Sequence, residues 1–68
     1  MKHITSSTVR AIGYDPETKT LKVIFNTGAE YHYEDVDQEA YDKLENAHSV
    51  GSHLHHHIKP KHAHKKVS

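Results

Sequence analysis

The sequence predicts an α+β domain: a three-stranded antiparallel β-meander followed by two short helices packed on one face. Three observations carry this expectation. Leu21, Val23 and Phe25 alternate with Lys22, Ile24 and Asn26, the period-two pattern of a strand with one buried face. Short turn sequences flank that run, so its neighbours in the chain pair with it antiparallel. Beyond Glu34 the apolar spacing changes to three and four residues, the helical period.

The elements follow in chain order. Ser7 to Tyr14, with Val9, Ile12 and Tyr14, reads as the first strand. Asp15-Pro16-Glu17-Thr18-Lys19 is a turn, since proline presets φ and the Asp carboxylate bonds to backbone just beyond it. Leu21 to Phe25 is the second strand. Asn26-Thr27-Gly28 is a hairpin turn in which Gly28 takes positive φ. Tyr31 and Tyr33 alternate with Glu30, His32 and Glu34 in a third strand. Asp35 is expected to cap the first helix, with Gln38 closing a capping box and Asp37 and Glu39 in the first turn, where the helix dipole favours acids. Val36, Ala40, Tyr41, Leu44 and Ala47 form its apolar stripe. Ser49 caps the second helix, Val50, Leu54 and Ile58 make its buried face, and Lys59-Pro60 ends it. Residues 1–61 form the single domain, and residues 62–68 a basic His/Lys tail, extended along the sheet edge or frayed. The expected core is Val9, Ile12, Leu21, Val23, Phe25, Tyr33, Val36, Tyr41, Leu44, Val50 and Leu54.

A chain of 68 residues buries a modest core, so its stability is expected at about 3–5 kcal/mol. Without cysteine it has no disulfide, thiolate metal site or thiol nucleophile. The start, Met1-Lys2-His3-Ile4-Thr5, leads into polar residues rather than a signal sequence, and no apolar run approaches a membrane span. The expected setting is the cytoplasm. The formal net charge is zero, yet the charges are segregated. Glu30, Glu34, Asp35, Asp37, Glu39, Asp42 and Glu45 face a single base, Lys43, in the middle of the chain. After Ser49 there is no acid, but Lys59, Lys61, Lys65, Lys66 and six of the nine histidines.

Catalysis is not expected. No nucleophile sits in a turn motif, the glycines Gly13, Gly28 and Gly51 stand alone, and paired acids such as Asp35 and Asp37 are explained by a helix start. No cofactor is expected beyond adventitious Zn²⁺ or Ni²⁺. His53 and His57, four residues apart on a helix, share a face and could chelate one ion, while His62 and His64 would share one face of an extended tail. The plainer reading of these histidines is a solvated polar face. Tyr31 and Tyr33 point to one side of the sheet, either as core or as a platform on which bases stack. Arg10 and Tyr14 on the first strand could line the rim of such a platform, and the Lys/His end would attract phosphates.

These residues also carry a resemblance. Ser6-Ser7, Ile12-Gly13-Tyr14-Asp15, Leu21-x-Val23-x-Phe25, Gly28, Tyr31-x-Tyr33, Val36, Tyr41, Ala47-x-Ser49-x-Gly51 and Ile58-Lys59 resemble the KTSC domain over nearly the whole chain. That family is named for the C-terminal domain of some lysyl-tRNA synthetases and includes small stand-alone bacterial and phage proteins. The chain departs from it at Asp37, where proline is common, and at His53, His62 and His64, where aromatic residues are common. The resemblance implies a non-enzymatic RNA- or nucleotide-binding module, with RNA or a small anionic nucleotide as partner. The residues expected to make contact are Arg10, Tyr14, Tyr31, His53, His57, Lys59 and Lys61. The alternatives are a phage-type protein that self-associates and sequesters a host nucleotide signal, and a histidine-based metal-binding or protein-interaction domain. Small size and two exposed sheet edges further predict a homo-oligomer, a dimer first.

Overall fold

A computed structural model describes residues 2–4 and 7–68 of the chain; Met1, Thr5 and Ser6, and with them one residue of the family resemblance, lie outside the description. The architecture is α+β, as expected, but the sheet is wider than a three-stranded meander. Among the described residues five strands pair antiparallel in chain order: β1 (Lys2–His3), β2 (Val9–Asp15), β3 (Thr20–Phe25), β4 (Glu30–Tyr33) and β5 (His64–Lys66). Between β4 and β5 come α1 (Gln38–Glu45), then α2 (Val50–His53), which runs on into a π-helical turn (Leu54–Ile58). No helix among the described residues is long and apolar enough to cross a membrane.

The added strands lie at the two edges. Within the segment set apart as a tail, Tyr33 pairs with His64, His32 with Lys65 and Tyr31 with Lys66. The ladder extends at both ends, from the Glu34 amide to the Ala63 carbonyl (2.8 Å) and from the Val67 amide to the Glu30 carbonyl (2.8 Å). Lys2 and His3 pair with Ile12 and Ala11 at the other edge. Both edges of the central meander are therefore paired at least in part, and the sheet's open edges move outward to the two-residue β1 and to β5.

The first strand begins at Val9 rather than Ser7, and it is not regular. Val9 pairs with Phe25 but Ala11 with Ile24, so one extra residue is inserted at Arg10. This bulge explains a spacing that alternation cannot. Val9 and Ile12, three apart, both point into the core with no exposed surface. Across β3 and β4 the same face carries Leu21, Val23 and Tyr33, and against it pack Val36, Leu44, Val50, Leu54 and Ile58. Phe25 and Tyr41, expected in the core, only flank it, while Ala11 and Ile58 are buried.

The first helix starts two residues later than expected. Asp37, not Asp35, is the cap, its carboxylate accepting the Ala40 amide at 2.8 Å. Asp35 instead takes a left-handed turn conformation, φ +55°, which Asp tolerates better than most residues. The reason lies between them: Val36 is wholly buried and its amide is bound to the Lys19 carbonyl, so the chain cannot turn helical before Asp37. Ser49 caps α2 as expected, accepting the Ser52 amide. Gly28 has φ +92°, closing the β3–β4 hairpin.

Candidate ligand-binding clefts

The spacing of four in α2 and its π turn sorts the side chains into stripes, and the helix becomes a partition between two clefts. Val50, Leu54 and Ile58 are buried against the sheet. His55 and Lys59 border a cleft on one side, and His53, His57 and Lys61 border another on the other side. The π turn is closed by the Lys59 amide on the Leu54 carbonyl (2.8 Å), a bond spanning five residues.

The first cleft has a volume of about 480 Å³, within the range of small-molecule sites. Its sheet wall is aromatic. Phe25 and Tyr31 meet edge to face with ring centroids 5.4 Å apart, the geometry their quadrupoles favour. Tyr33 lies deeper and is buried, whereas Tyr31 is half-buried. The expectation for the tyrosines thus divides: Tyr33 is core and Tyr31 is open to the cleft. His64, brought in by β5, lies 5.1 Å from the Tyr33 ring and 5.8 Å from the Tyr31 ring. Opposite stand His55 and Lys59, and the β3–β4 hairpin adds the polar Asn26 and Thr27.

The second cleft, about 320 Å³, lies between α2 and the first turn of α1. It is polar, with Asp37, Glu39 and Lys43 facing His53, His57, Lys61 and His62. Lys43 pairs with Glu39 at 3.2 Å in an exposed ion pair. The His53 and His57 rings lie 4.6 Å apart. Burial, then the neighbouring His57 and Lys43, hold the His53 imidazole below its ordinary pKa.

The seven residues expected to contact a ligand therefore do not form one site. Tyr31 and Lys59 line the first cleft, and His53, His57 and Lys61 the second. Tyr14 lines neither: its ring stacks on Tyr41 at 5.1 Å and its hydroxyl donates to the Val36 carbonyl, tying the sheet to the start of α1. Arg10 lines neither as well; from the bulge it donates to the Asn26 carbonyl at 3.1 Å. The C-terminal lysines are also dispersed. The register sets Lys65 beside His32 and Lys22 on the sheet face away from the helices, and Lys66 on the other face. Phe25, His55 and His64 were missed as cleft residues. Two of them had a signal: Phe25 shares the strand face of Val23, and His55 stands four residues before Lys59.

Three phenols are held above their ordinary pKa of 10.0. Burial is the main cause at Tyr33, with Tyr31 adding to it. At Tyr41 burial is joined by Glu45 and Asp42, and at Tyr14 by Asp37, Asp15 and Asp42. A raised folded-state pKa means the folded chain keeps its phenol protons longer than the unfolded chain does. The stability they contribute is complete below pH 10 and is lost as pH rises through the raised values. Urea midpoints taken from pH 8 upward should therefore fall beyond pH 10, and Tyr33→Phe should flatten that fall. An equal fall in both chains would show that the phenol is not responsible.

The chain matches the KTSC domain family profile over residues 5–62. It is 44% identical over 59 residues to an uncharacterised protein of Stutzerimonas stutzeri, covering 87% of this chain and 83% of that one. A Tsukamurella paurometabola protein is 38% identical over 61 residues, covering 90% and 91%. The crystal structure of a KTSC domain protein from Yersinia pestis superposes with a TM-score of 0.93 at 30% identity, covering 98% of this chain and 94% of that one.

Proposed function

This chain belongs to the KTSC domain family, and from its first cleft we propose that it is a non-enzymatic binding module for a nucleotide or a short single-stranded RNA segment. The observation that carries the proposal is the pairing of an aromatic wall with basic side chains across one cleft of about 480 Å³. A base stacks on the open face of Tyr31, since every base has a π face and such stacking is sequence-tolerant. Lys59 and His55 stand across the cleft, where the sugar-borne phosphate of that nucleotide would reach. The volume fits a nucleotide-sized unit and is too small for a duplex, so longer RNA would be held by one unstacked residue.

Equilibrium titration of the full chain with mononucleotides and short oligoribonucleotides, followed by tyrosine fluorescence, tests this. Tyr31→Leu keeps an apolar side chain against the core but removes the π face, and should weaken binding by about 1–3 kcal/mol. Lys59→Gln should lower the slope of log affinity against log salt by roughly one contact's worth. If both variants bind as the parent does, the cleft is not the site.

A further inference from the structure

The second cleft lies on the far side of α2 from the nucleotide reading and does not depend on it. We propose that His53, His57 and His62 there form a binding site for a Zn²⁺-class divalent cation, with the fourth position left to water. Three independent features point to it. First, α2 and its π turn set His53 and His57 four residues apart along one side of the helix, with ring centroids at 4.6 Å. Second, the chain beyond Ile58 curls rather than departs. The amides of Lys61 and His62 both bond to the Ile58 carbonyl (3.1 and 3.0 Å), and this returns His62 to the same cleft.

Third, His62 already makes the outer hydrogen bond that metal-bound imidazoles commonly make. Its Nδ1 lies 3.0 Å from the Glu34 carbonyl oxygen. A carbonyl only accepts, so Nδ1 carries the hydrogen in that bond, and the neutral ring then presents its lone pair at Nε2. A backbone carbonyl fixing the tautomer and raising the basicity of the other nitrogen is the usual outer support of a histidine ligand. The fixed charges bordering the cleft, Asp37 and Glu39 against Lys43 and Lys61, balance, so the imidazoles rather than net charge would have to hold the ion.

Among the described residues no three such groups already converge on one point. Coordination therefore requires the His53 and His57 rings to turn toward a point shared with His62. His57 is exposed and His53 half-buried, so the rotation displaces little packing. Imidazole alone, with no thiolate, suits Zn²⁺, Ni²⁺ or Cu²⁺ rather than Mg²⁺ or Ca²⁺. The apolar core is complete without the ion, so binding and folding are separate events here, unlike in a zinc finger.

The test is titration of the chelator-treated full chain with ZnCl₂ at neutral pH, in competition with a chromophoric chelator. The parent should take up one equivalent, and its circular dichroism should be the same with and without metal. His62→Ala should weaken binding at least about tenfold, while His55→Ala and His56→Ala, on other sides of the helix, should leave it unchanged. On the parent chain itself, the His62 Nε2 resonance should shift on zinc addition while Nδ1 keeps the signature of a protonated nitrogen. The proposal is overturned by the absence of saturable one-to-one uptake, by a His62→Ala variant that binds like the parent, or by an equal loss in His55→Ala. Unfolding on chelation would overturn the separation of binding from folding.

Discussion

Leu21→Ala should leave the chain largely unfolded at room temperature. Leu21 has no exposed surface, and the register places it between Tyr14 on β2 and Tyr33 on β4. Its side chain therefore fills the centre of the sheet wall against which the helices pack. Removing a wholly buried leucine costs about 2–5 kcal/mol, because the lost transfer energy is joined by the cost of a cavity. A domain of this length holds about 3–5 kcal/mol in all, so the two figures are of the same size. Urea denaturation followed by circular dichroism should show a pre-transition baseline shortened or absent. A midpoint close to the parent's would mean that the sheet closes over the gap. Ile24→Ala on the opposite face is the comparison, and it should cost much less since Ile24 is only half-buried.

Deleting residues 63–68 should both destabilise the domain and make it self-associate. The segment supplies the ladder partners of Tyr31, His32 and Tyr33, and it lays His64 against the Tyr33 ring. Each lost backbone bond costs about 0.5–1.5 kcal/mol net, so the total is on the order of 2 kcal/mol after the freed segment regains its entropy. The exposed β4 edge would then present unpaired amides and carbonyls beside Tyr31, a template for pairing with another copy. Sedimentation velocity at micromolar concentration should show the full chain as one species near 7.8 kDa. The truncated chain should sediment faster as concentration rises. A full-length chain that sediments as a dimer would mean that the outer edge of β1 or β5, or another surface, already pairs two copies.

The elements legible in the sequence were those fixed by local pattern. Alternation in Leu21-x-Val23-x-Phe25 located the central strand, and the four-residue spacing of Val50, Leu54 and Ile58 located the buried side of α2. What stayed hidden depends on distant contacts. The sequence leaves the end of the chain as a tail either extended along the sheet edge or frayed; His64-Lys65-Lys66, with no alternation and low strand propensity, takes the first course because β4 offers it an edge. The choice between Asp35 and Asp37 as cap is invisible locally, since either acid could serve; the Lys19 carbonyl decides it by holding Val36. The bulge at Arg10 was present as an anomaly, two core residues three apart, that alternation alone cannot interpret. The clefts followed the same division. Tyr31 and Lys59 were legible as chemistry, but which side of α2 each histidine borders, and the arrival of His64, required the fold.

Because β1 and β5 are the outermost strands, polypeptide fused to this domain enters along one rim of the sheet and leaves along the other. Four interstrand gaps separate the rims, a span of up to about 19 Å. Inserted between two other modules, the domain would hold them apart as a spacer instead of hinging them together. A circular permutant would need a joining linker of about six residues to cross that width.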